Sequence, residues 1–192
     1  MGVEFELKFR STEAQQQAIR MAFPGEETVF HMQTTYYDTP DGALSEKRYT
    51  LRRRMENQQA VCTLKTPAGA LARGEYEVMD LSIQEAIPEL CKLSGVSELE
   101  EMKDRLVAVC GARFQRRARL LTLEGCTVEL ALDEGVLLGG GREAALCEVE
   151  VELKTGSPVA ATIFAKQLAE RFGLQPEKRS KFRRALALAK GE

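Results

Sequence analysis

The first residues of the chain place three charged side chains at alternate positions. Residues 3–9 read VEFELKF, in which Glu4, Glu6 and Lys8 alternate with apolar residues. Because successive side chains of a β-strand point to opposite faces, this run predicts a strand with one ionic and one apolar face. Carboxylates that share a face can bind Mg²⁺ or Mn²⁺, which prefer hard oxygen ligands. Glu4 and Glu6 are therefore candidate metal ligands, provided that their face looks away from bulk water.

Other strand-like runs also sort their charges by face. In YTLRRRM, Arg52 and Arg54 share one face and Arg53 lies on the opposite, apolar one. Period-two spacing groups further residues in the same way: Thr63 with Lys65, Arg73 with Glu75 and Glu77, Arg117 with Arg119, Glu129 with Asp133, and Glu148 with Glu150, Glu152 and Lys154. Like charges that lie opposite each other destabilise a sheet, so this sorting is unusual for a solvated surface.

The sorted charges favour an ionic interior. Many of these strands keep an apolar face, which the amphipathic segments 11–23 and 158–172 could cover. A barrel with its apolar faces outward, under helices, turns its ionic faces inward. Buried charges are costly unless they are paired, so such a lumen is favourable only with water and a charged guest. A polyphosphate carrying a divalent metal matches both the carboxylates and the basic side chains. A solvated sheet with cross-strand salt bridges is the alternative.

The pattern of elements predicts one α+β domain over residues 1–192. Strand-like runs fall at 3–9, 29–37, 47–55, 60–66, 73–79, 115–123, 126–133 and 145–154. Because eight strands are enough to close a small barrel, we predict an eight-stranded antiparallel β-barrel with helices packed outside.

Helical periodicity covers four segments, namely 11–23, 83–109, 158–172 and 180–190. In the third segment, four residues form an apolar stripe that we expect to pack on the core: Val159, Ile163, Leu168 and Phe172. Ser180 can cap the last helix, which places Lys181 in its first turn.

Composition excludes several classes of function. The chain is 44% hydrophobic and 29% charged with a net charge of −2, which indicates a globular protein without a nucleic-acid partner. His31 is the single histidine, so sites with several histidine ligands are excluded, and no P-loop motif occurs. The five cysteines lack metal-binding spacing, and neither a leader nor a membrane-spanning run is visible. We expect a cytoplasmic protein without a membrane partner; the pattern leaves the oligomeric state open.

The charged runs resemble the CYTH superfamily, the triphosphate tunnel metalloenzymes. The resemblance rests on EFELK, YYDTPDGAL, LRRR, TLKT, RGEYE, RRAR, ALDEG, CEVEVE and RSKF, which follow the family order over nearly the whole chain. The YYDTPD, TLKT and GREAALCEVEVEL stretches are most similar to the bacterial inorganic triphosphatase branch. Members of that branch often carry a second, helical domain, which these residues do not include. LRRR departs from the family pattern at Arg53, where an apolar residue is usual.

The resemblance implies Mg²⁺- or Mn²⁺-dependent hydrolysis of a triphosphate compound, with inorganic tripolyphosphate giving pyrophosphate and phosphate. The implied metal ligands are Glu4, Glu6, Asp133, Glu148, Glu150 and Glu152. The implied phosphate-binding residues are Lys8, Arg52, Arg54, Lys65, Arg117, Arg119 and Lys181. Of these residues, Glu4, Glu6, Lys8 and Lys65 are the ones expected to be catalytic, and Glu75 and Glu77 are expected to support them. We also expect Lys181 to reach the substrate and to contribute nothing to the stability of the unliganded protein.

Three alternatives share these residues. The first is a class IV-type adenylate cyclase, in which a ribose hydroxyl replaces water as the nucleophile. The second is a thiamine or nucleoside triphosphatase, and the third is a non-catalytic module that binds polyphosphate. A cyclase needs a site for the base, and without tryptophan that role would fall to Tyr36, Tyr37 or Phe114.

Overall fold

A computed structural model describes residues 2–67 and 73–192, with backbone only for residues 2–4 and Arg73. In this part of the chain ten strands form one antiparallel sheet. They are β1 (Gly2–Glu4), β2 (Glu6–Arg10), β3 (Thr28–Asp38), β4 (Thr50–Glu56), β5 (Gln59–Pro67), β6 (Arg73–Met79), β7 (Val107–Leu123), β8 (Cys126–Gly139), β9 (Arg142–Gly156) and β10 (Gln175–Pro176).

Six α-helices lie between or after these strands in the described residues. They are α1 (Glu13–Ala22), α2 (Ala43–Glu46), α3 (Ile83–Ser94), α4 (Glu98–Met102), α5 (Pro158–Phe172) and α6 (Lys181–Lys190). As predicted, Ser180 caps α6, because its side chain accepts a hydrogen bond from the amide of Arg183. Among the helices described, none has the length and apolar character needed to cross a bilayer.

The opening segment of the chain pairs with strands at both ends of the sheet. The strand order is β1-β6-β5-β4-β3-β7-β8-β9-β2-β10. β1 pairs with β6 and β2 pairs with β9, while Phe5 alone separates β1 from β2. The first segment therefore connects the two halves of the sheet.

Helices cover the apolar face of the sheet in two places. α1 and α5 pack over β8 and β9, where Ile19 and Ala165 join Leu130 and Val149 in a buried cluster. α3 and α4 pack over β4, β5 and β6, and their cluster includes Leu51, Cys62, Leu64, Ile87, Leu90 and Leu99. These strand positions alternate with the charged ones, as the sequence predicts.

The last helix packs on the other face, which carries the charged residues. Ala185 of α6 is buried with Phe114 of β7 and Leu146 of β9, and these two strand residues share a face with Arg116 and Glu148. Contrary to the expectation that all helices lie outside, α6 therefore covers one end of the ionic face.

A glycine allows α6 to lie this close. A Cβ built on Gly139 would lie 2.4 Å from the carbonyl oxygen of Ala185 and 2.7 Å from the amide nitrogen of Ala189. The two residues that follow, Gly140 and Gly141, form the turn between β8 and β9 with φ angles of 59° and 73°. Both angles favour glycine, as in a two-residue hairpin loop.

The α+β class and the antiparallel sheet are confirmed, and each predicted run overlaps a strand. Several element boundaries differ from the prediction, and two of them differ most. The helix predicted over 83–109 stops at Ser94, because Gly95 adopts a left-handed conformation with φ 75°. β7 begins at Val107, eight residues before its predicted start, in a segment where valines favour extended backbone.

The apolar stripe predicted for α5 was partly wrong. Val159 and Ile163 are 67% and 52% exposed, whereas Ala161, Ala165 and Leu168 are buried. The helix turns its small residues toward the sheet, since alanine lets it lie close to β8 and β9. A prediction based on the large apolar side chains alone therefore identified the wrong face of α5 as the buried one.

Replacing Gly139 by alanine should loosen α6. Since the new methyl group would meet backbone atoms, the helix must shift, and we expect a loss of about 1–3 kcal/mol of stability. Thermal unfolding measures this loss, and hydrogen exchange of the amides of residues 185–189 should become faster. An unchanged melting temperature together with unchanged exchange would contradict the close packing of α6.

Candidate active site

The charged face lines a cavity of about 540 Å³. The acidic residues that line it are Glu6, Glu56, Glu75, Glu77, Glu129, Glu150 and Glu152. The basic residues that line it are Lys8, Arg52, Arg54, Lys65, Arg116, Lys154, Lys178 and Lys181. Most of the residues predicted from the sequence therefore face one space, together with several that were not predicted.

Three buried carboxylates lie side by side next to this cavity. Asp133 of β8 is opposite Glu148 of β9, and Glu150 follows two residues later on the same face. Each offers an oxygen within 4.8 Å of the others, a separation that would allow one metal ion to bind all three. All three were predicted as metal ligands.

Three cations contact this carboxylate triad (Asp133, Glu148 and Glu150). The Nζ atom of Lys181 lies 2.8 Å from Asp133 Oδ2, 2.6 Å from Glu148 Oε2 and 2.6 Å from Glu150 Oε1. Arg116 donates from Nε and Nη2 to the two oxygens of Asp133, at 2.7 and 2.8 Å, and also contacts Glu150. Arg184 contacts Glu148. The charges of the triad are thus balanced within the protein.

Burial and ion pairing act in opposite directions on these groups. Burial would lower the pKa of Lys181, but the surrounding carboxylates outweigh it and raise that pKa. Burial would raise the pKa of Glu150, but Lys181, Arg116 and Lys8 hold it well below its usual value. For Glu148, burial outweighs its cations and the pKa is raised. Glu150 therefore depends on its cations to stay ionised.

A second set of carboxylates lies nearer to solvent. Glu6, Glu152 and Glu129 are directly opposite one another on β2, β9 and β8. Lys154 lies 2.9 Å from Glu152 and 3.6 Å from Glu129, and Lys8 donates to Glu6 at 2.7 Å. Adjacent like charges cost stability, so this arrangement suits a site that receives a cation. Glu4, which was also predicted as a ligand, has a side chain outside the described part of the chain.

The basic residues of β4 and β5 lie along the cavity as predicted. Arg52 Nη2 is 3.4 Å from Glu75 and 3.9 Å from Glu77, and Lys65 Nζ is 3.1 Å from Glu75. The two predicted supporting residues thus contact the predicted phosphate-binding ones.

Arg54 is buried among other cations. It donates from Nε to Thr34 and from Nη1 to Glu56, at 3.3 and 3.2 Å. Burial lowers its pKa, and the neighbouring charges of Arg52 and Arg116 add to this effect. Guanidinium groups clustered beside a cavity can bind an anionic ligand such as a phosphate.

Two predicted phosphate-binding residues point away from the cavity. Arg117 and Arg119 lie on the outer face of β7, where both contact Glu27. The inward residue is Arg116, which the sequence reasoning missed. Arg116 shares its face of β7 with Ala118 and Leu120. Because these neighbours are apolar, that face was predicted to point away from the cavity. The signal that could have found it is its register opposite Asp133.

The structure corrects the expectation for the stability of the unliganded protein. Lys181 is 7% exposed and pairs with the carboxylate triad. Removing it would take away one of the three cations that neutralise the buried carboxylates, which should destabilise the protein.

The site is a charged cavity on an antiparallel sheet, with clustered carboxylates that could hold a metal ion. A CYTH domain model matches residues 2–186, and the chain belongs to this family. Enzymes of the CYTH family are metal-dependent triphosphatases.

Individual relatives agree with this assignment. The chain is 32% identical over 128 residues to an inorganic triphosphatase of Haemophilus influenzae. The match covers 64% of the chain and 36% of that relative, so the chain spans about a third of its length.

Two solved structures show the fold alone. HpAC1 from Hippeastrum is a candidate adenylyl cyclase that reveals a dominant triphosphatase activity. Its structure has a TM-score of 0.61 at 20% identity, and the match covers 100% of this chain and 96% of HpAC1. The PH1819 protein of Pyrococcus horikoshii has a TM-score of 0.64 at 22% identity, covering 97% and 99%.

Alanine at Arg52 or Arg54 should impair binding of a phosphate ligand, and alanine at Arg53 should not. Arg53 lies on the opposite face, where its Nε donates to the carbonyl of Leu81. Since a charge-assisted hydrogen bond contributes about 1.5–3 kcal/mol, we expect affinity for tripolyphosphate to fall at least about tenfold in the first two variants. Calorimetry measures this affinity, and equal losses at all three positions would contradict the assignment of faces.

Glutamine at Arg116 should destabilise the protein far more than glutamine at Arg117. The first change leaves the buried Asp133 without its two hydrogen bonds and should cost about 3–5 kcal/mol. The second removes a partly exposed partner of Glu27, which keeps Arg20 and Arg119, and should cost at most about 1 kcal/mol. Urea unfolding of both variants measures the difference, and similar midpoints would place Arg116 outside the ionic core.

Proposed function

We propose that this protein hydrolyses inorganic tripolyphosphate to pyrophosphate and phosphate with Mg²⁺ or Mn²⁺. The observation that carries the proposal is that one cavity holds carboxylates on β2, β8 and β9 and basic residues on β4, β5 and β7. A metal-bound triphosphate needs both sets at once.

The carboxylates fit a divalent metal. Asp133, Glu148 and Glu150 offer clustered hard oxygens, and Glu6 and Glu152 extend this set along the cavity. We assign these five residues and Glu4 as the metal-binding set. A metal bound here would neutralise phosphate charge and lower the pKa of a coordinated water.

The basic residues would position the substrate. Arg52, Arg54, Lys65 and Lys8 can donate to phosphate oxygens, and we add Arg116 to them in place of Arg117 and Arg119. Phosphoryl transfer depends mainly on positioning and charge neutralisation. These donors would therefore align the three phosphates of the substrate for in-line attack and stabilise the charge that develops on pyrophosphate.

The sheet would close around the substrate as a tunnel. Support comes from the opening segment, since β1 pairs with β6, β2 pairs with β9, and the two strands are joined through Phe5. We propose that this connection closes eight long strands into the predicted barrel, in one domain that extends over residues 1–192.

The aromatic residues favour an inorganic substrate over a nucleotide. Tyr36 and Phe114 are each 4% exposed, and the ring of Tyr36 packs 5.1 Å from that of Phe182. Tyr37 packs in the cluster under α3 and α4. Tyr36 lines the cavity but is largely covered, so these three rings offer little surface to a base or a thiazolium ring. This supports tripolyphosphate over a cyclase or a thiamine triphosphatase.

The cysteines support the predicted cytoplasmic location. All five, Cys62, Cys91, Cys110, Cys126 and Cys147, are free thiols, as expected in a reducing compartment.

A substrate screen tests the proposal. Phosphate release should be fastest with tripolyphosphate in the presence of Mg²⁺ or Mn²⁺, slower with thiamine triphosphate and ATP, and absent with a chelator. Formation of cyclic AMP from ATP would favour the cyclase. Tight binding of tripolyphosphate without turnover would favour the binding module.

Replacing Glu6 by glutamine should abolish most of the activity without unfolding the protein. The change removes a ligand charge and keeps the shape, so we expect tripolyphosphate turnover to fall by well over about tenfold. Glu134→Gln is the matched control, because Glu134 lies on the exposed, outer side of β8 next to Asp133. Normal turnover in a folded Glu6→Gln variant would show that Glu6, and with it β2, does not contribute to the active site.

A further inference from the structure

The carboxylate triad already holds a cation in the position that a metal would take. Its three oxygens surround the Nζ atom of Lys181 at 2.6–2.8 Å. A divalent metal would have to bind the same oxygens, at about 2.0–2.1 Å for Mg²⁺. An ammonium group and a metal ion cannot both lie between the three oxygens of the carboxylate triad.

Charge balance also opposes simultaneous occupation. Asp133, Glu148 and Glu150 carry three negative charges, and Lys181, Arg116 and Arg184 supply three positive ones. Adding a divalent ion would leave two uncompensated positive charges in a buried site, which is costly. Departure of one cation would halve this excess.

Lys181 is the cation best able to leave. Arg116 is fixed by two parallel hydrogen bonds to Asp133, and Arg184 contacts Glu148 while lying 4.0 Å from Glu177. Lys181 holds the triad by a single atom at the end of a flexible chain, and it also lines the cavity. An ammonium group released from the triad therefore has an open space to enter.

We propose that Lys181 is an internal cation that competes with the divalent metal for the Asp133–Glu148–Glu150 site. Metal binding expels its ammonium group into the cavity and loosens the first turn of α6, which Lys181 otherwise anchors. The competition sets the metal affinity of the protein without substrate. This inference rests on the proposed function for the presence of a metal at this site.

Mn²⁺ binding measured by calorimetry without substrate tests the competition. Lys181→Gln should bind Mn²⁺ at least about tenfold more tightly than the unmodified protein, since a competing charge is gone. Arg183→Gln removes the same charge from the same helical turn, but at an exposed position away from the triad, and its affinity should change much less. Adding Asp133→Asn to Lys181→Gln should abolish the gain. Equal or weaker binding by Lys181→Gln, or an equal gain in Arg183→Gln, would overturn the proposal.

Hydrogen exchange of the unmodified protein gives an answer that does not depend on a variant's folding. Mn²⁺ alone should speed exchange of the amides of residues 184–186, because expulsion of Lys181 removes the anchor of that turn. Unchanged or slower exchange at saturating Mn²⁺ would overturn the proposal. Failure of the proposed function has a different signature, namely Mn²⁺ binding with the expected competition but no hydrolysis of tripolyphosphate.

Discussion

The need to neutralise carboxylates that are forced together governs this structure. Pairing of β8 with β9 places Asp133 opposite Glu148, with Glu150 beside them, and all three are buried. Three ionised groups at this distance repel one another, and burial strengthens the repulsion. The protein supplies compensating cations from β7 and from α6, Arg116 and Lys181 among them. The site therefore exists only when the sheet and the last helix are both in place.

The same constraint explains how the helices divide between the two faces. α1, α3 and α5 cover the apolar face and make the hydrophobic clusters on which the sheet depends. α6 has the other task, since it covers the ionic face and brings two of the three cations to it. Gly139 serves this arrangement, because a side chain there would meet the backbone of α6. Packing and charge neutralisation are thus assigned to different helices.

Period-two alternation was enough to predict the strands, the apolar face and most of the cavity residues, because the face of a strand residue is a local property. It placed Arg52 and Arg54 on one side and Arg53 on the other. It failed for β7, where Ala118 and Leu120 made the inward face look apolar. It also could not reveal that Lys181 pairs with Asp133, since that contact depends on how a helix packs on a distant hairpin. Long-range pairing of charges leaves little trace in local sequence.

Under the proposed function, ligand binding would exchange partners within the cavity and bury few new charges. Arg52 and Lys65 now pair with Glu75, and Lys181 pairs with the carboxylate triad. A metal ion would take over the carboxylates, and phosphate oxygens would take over the released ammonium and guanidinium groups. Each charged side chain then has a new partner of opposite sign. Because these side chains are already buried in the unliganded protein, their desolvation cost arises during folding and not during ligand binding. The cavity is in this sense preorganised for a ligand that carries both charges. A metal alone would pair only with the carboxylates, and a phosphate alone only with the basic residues.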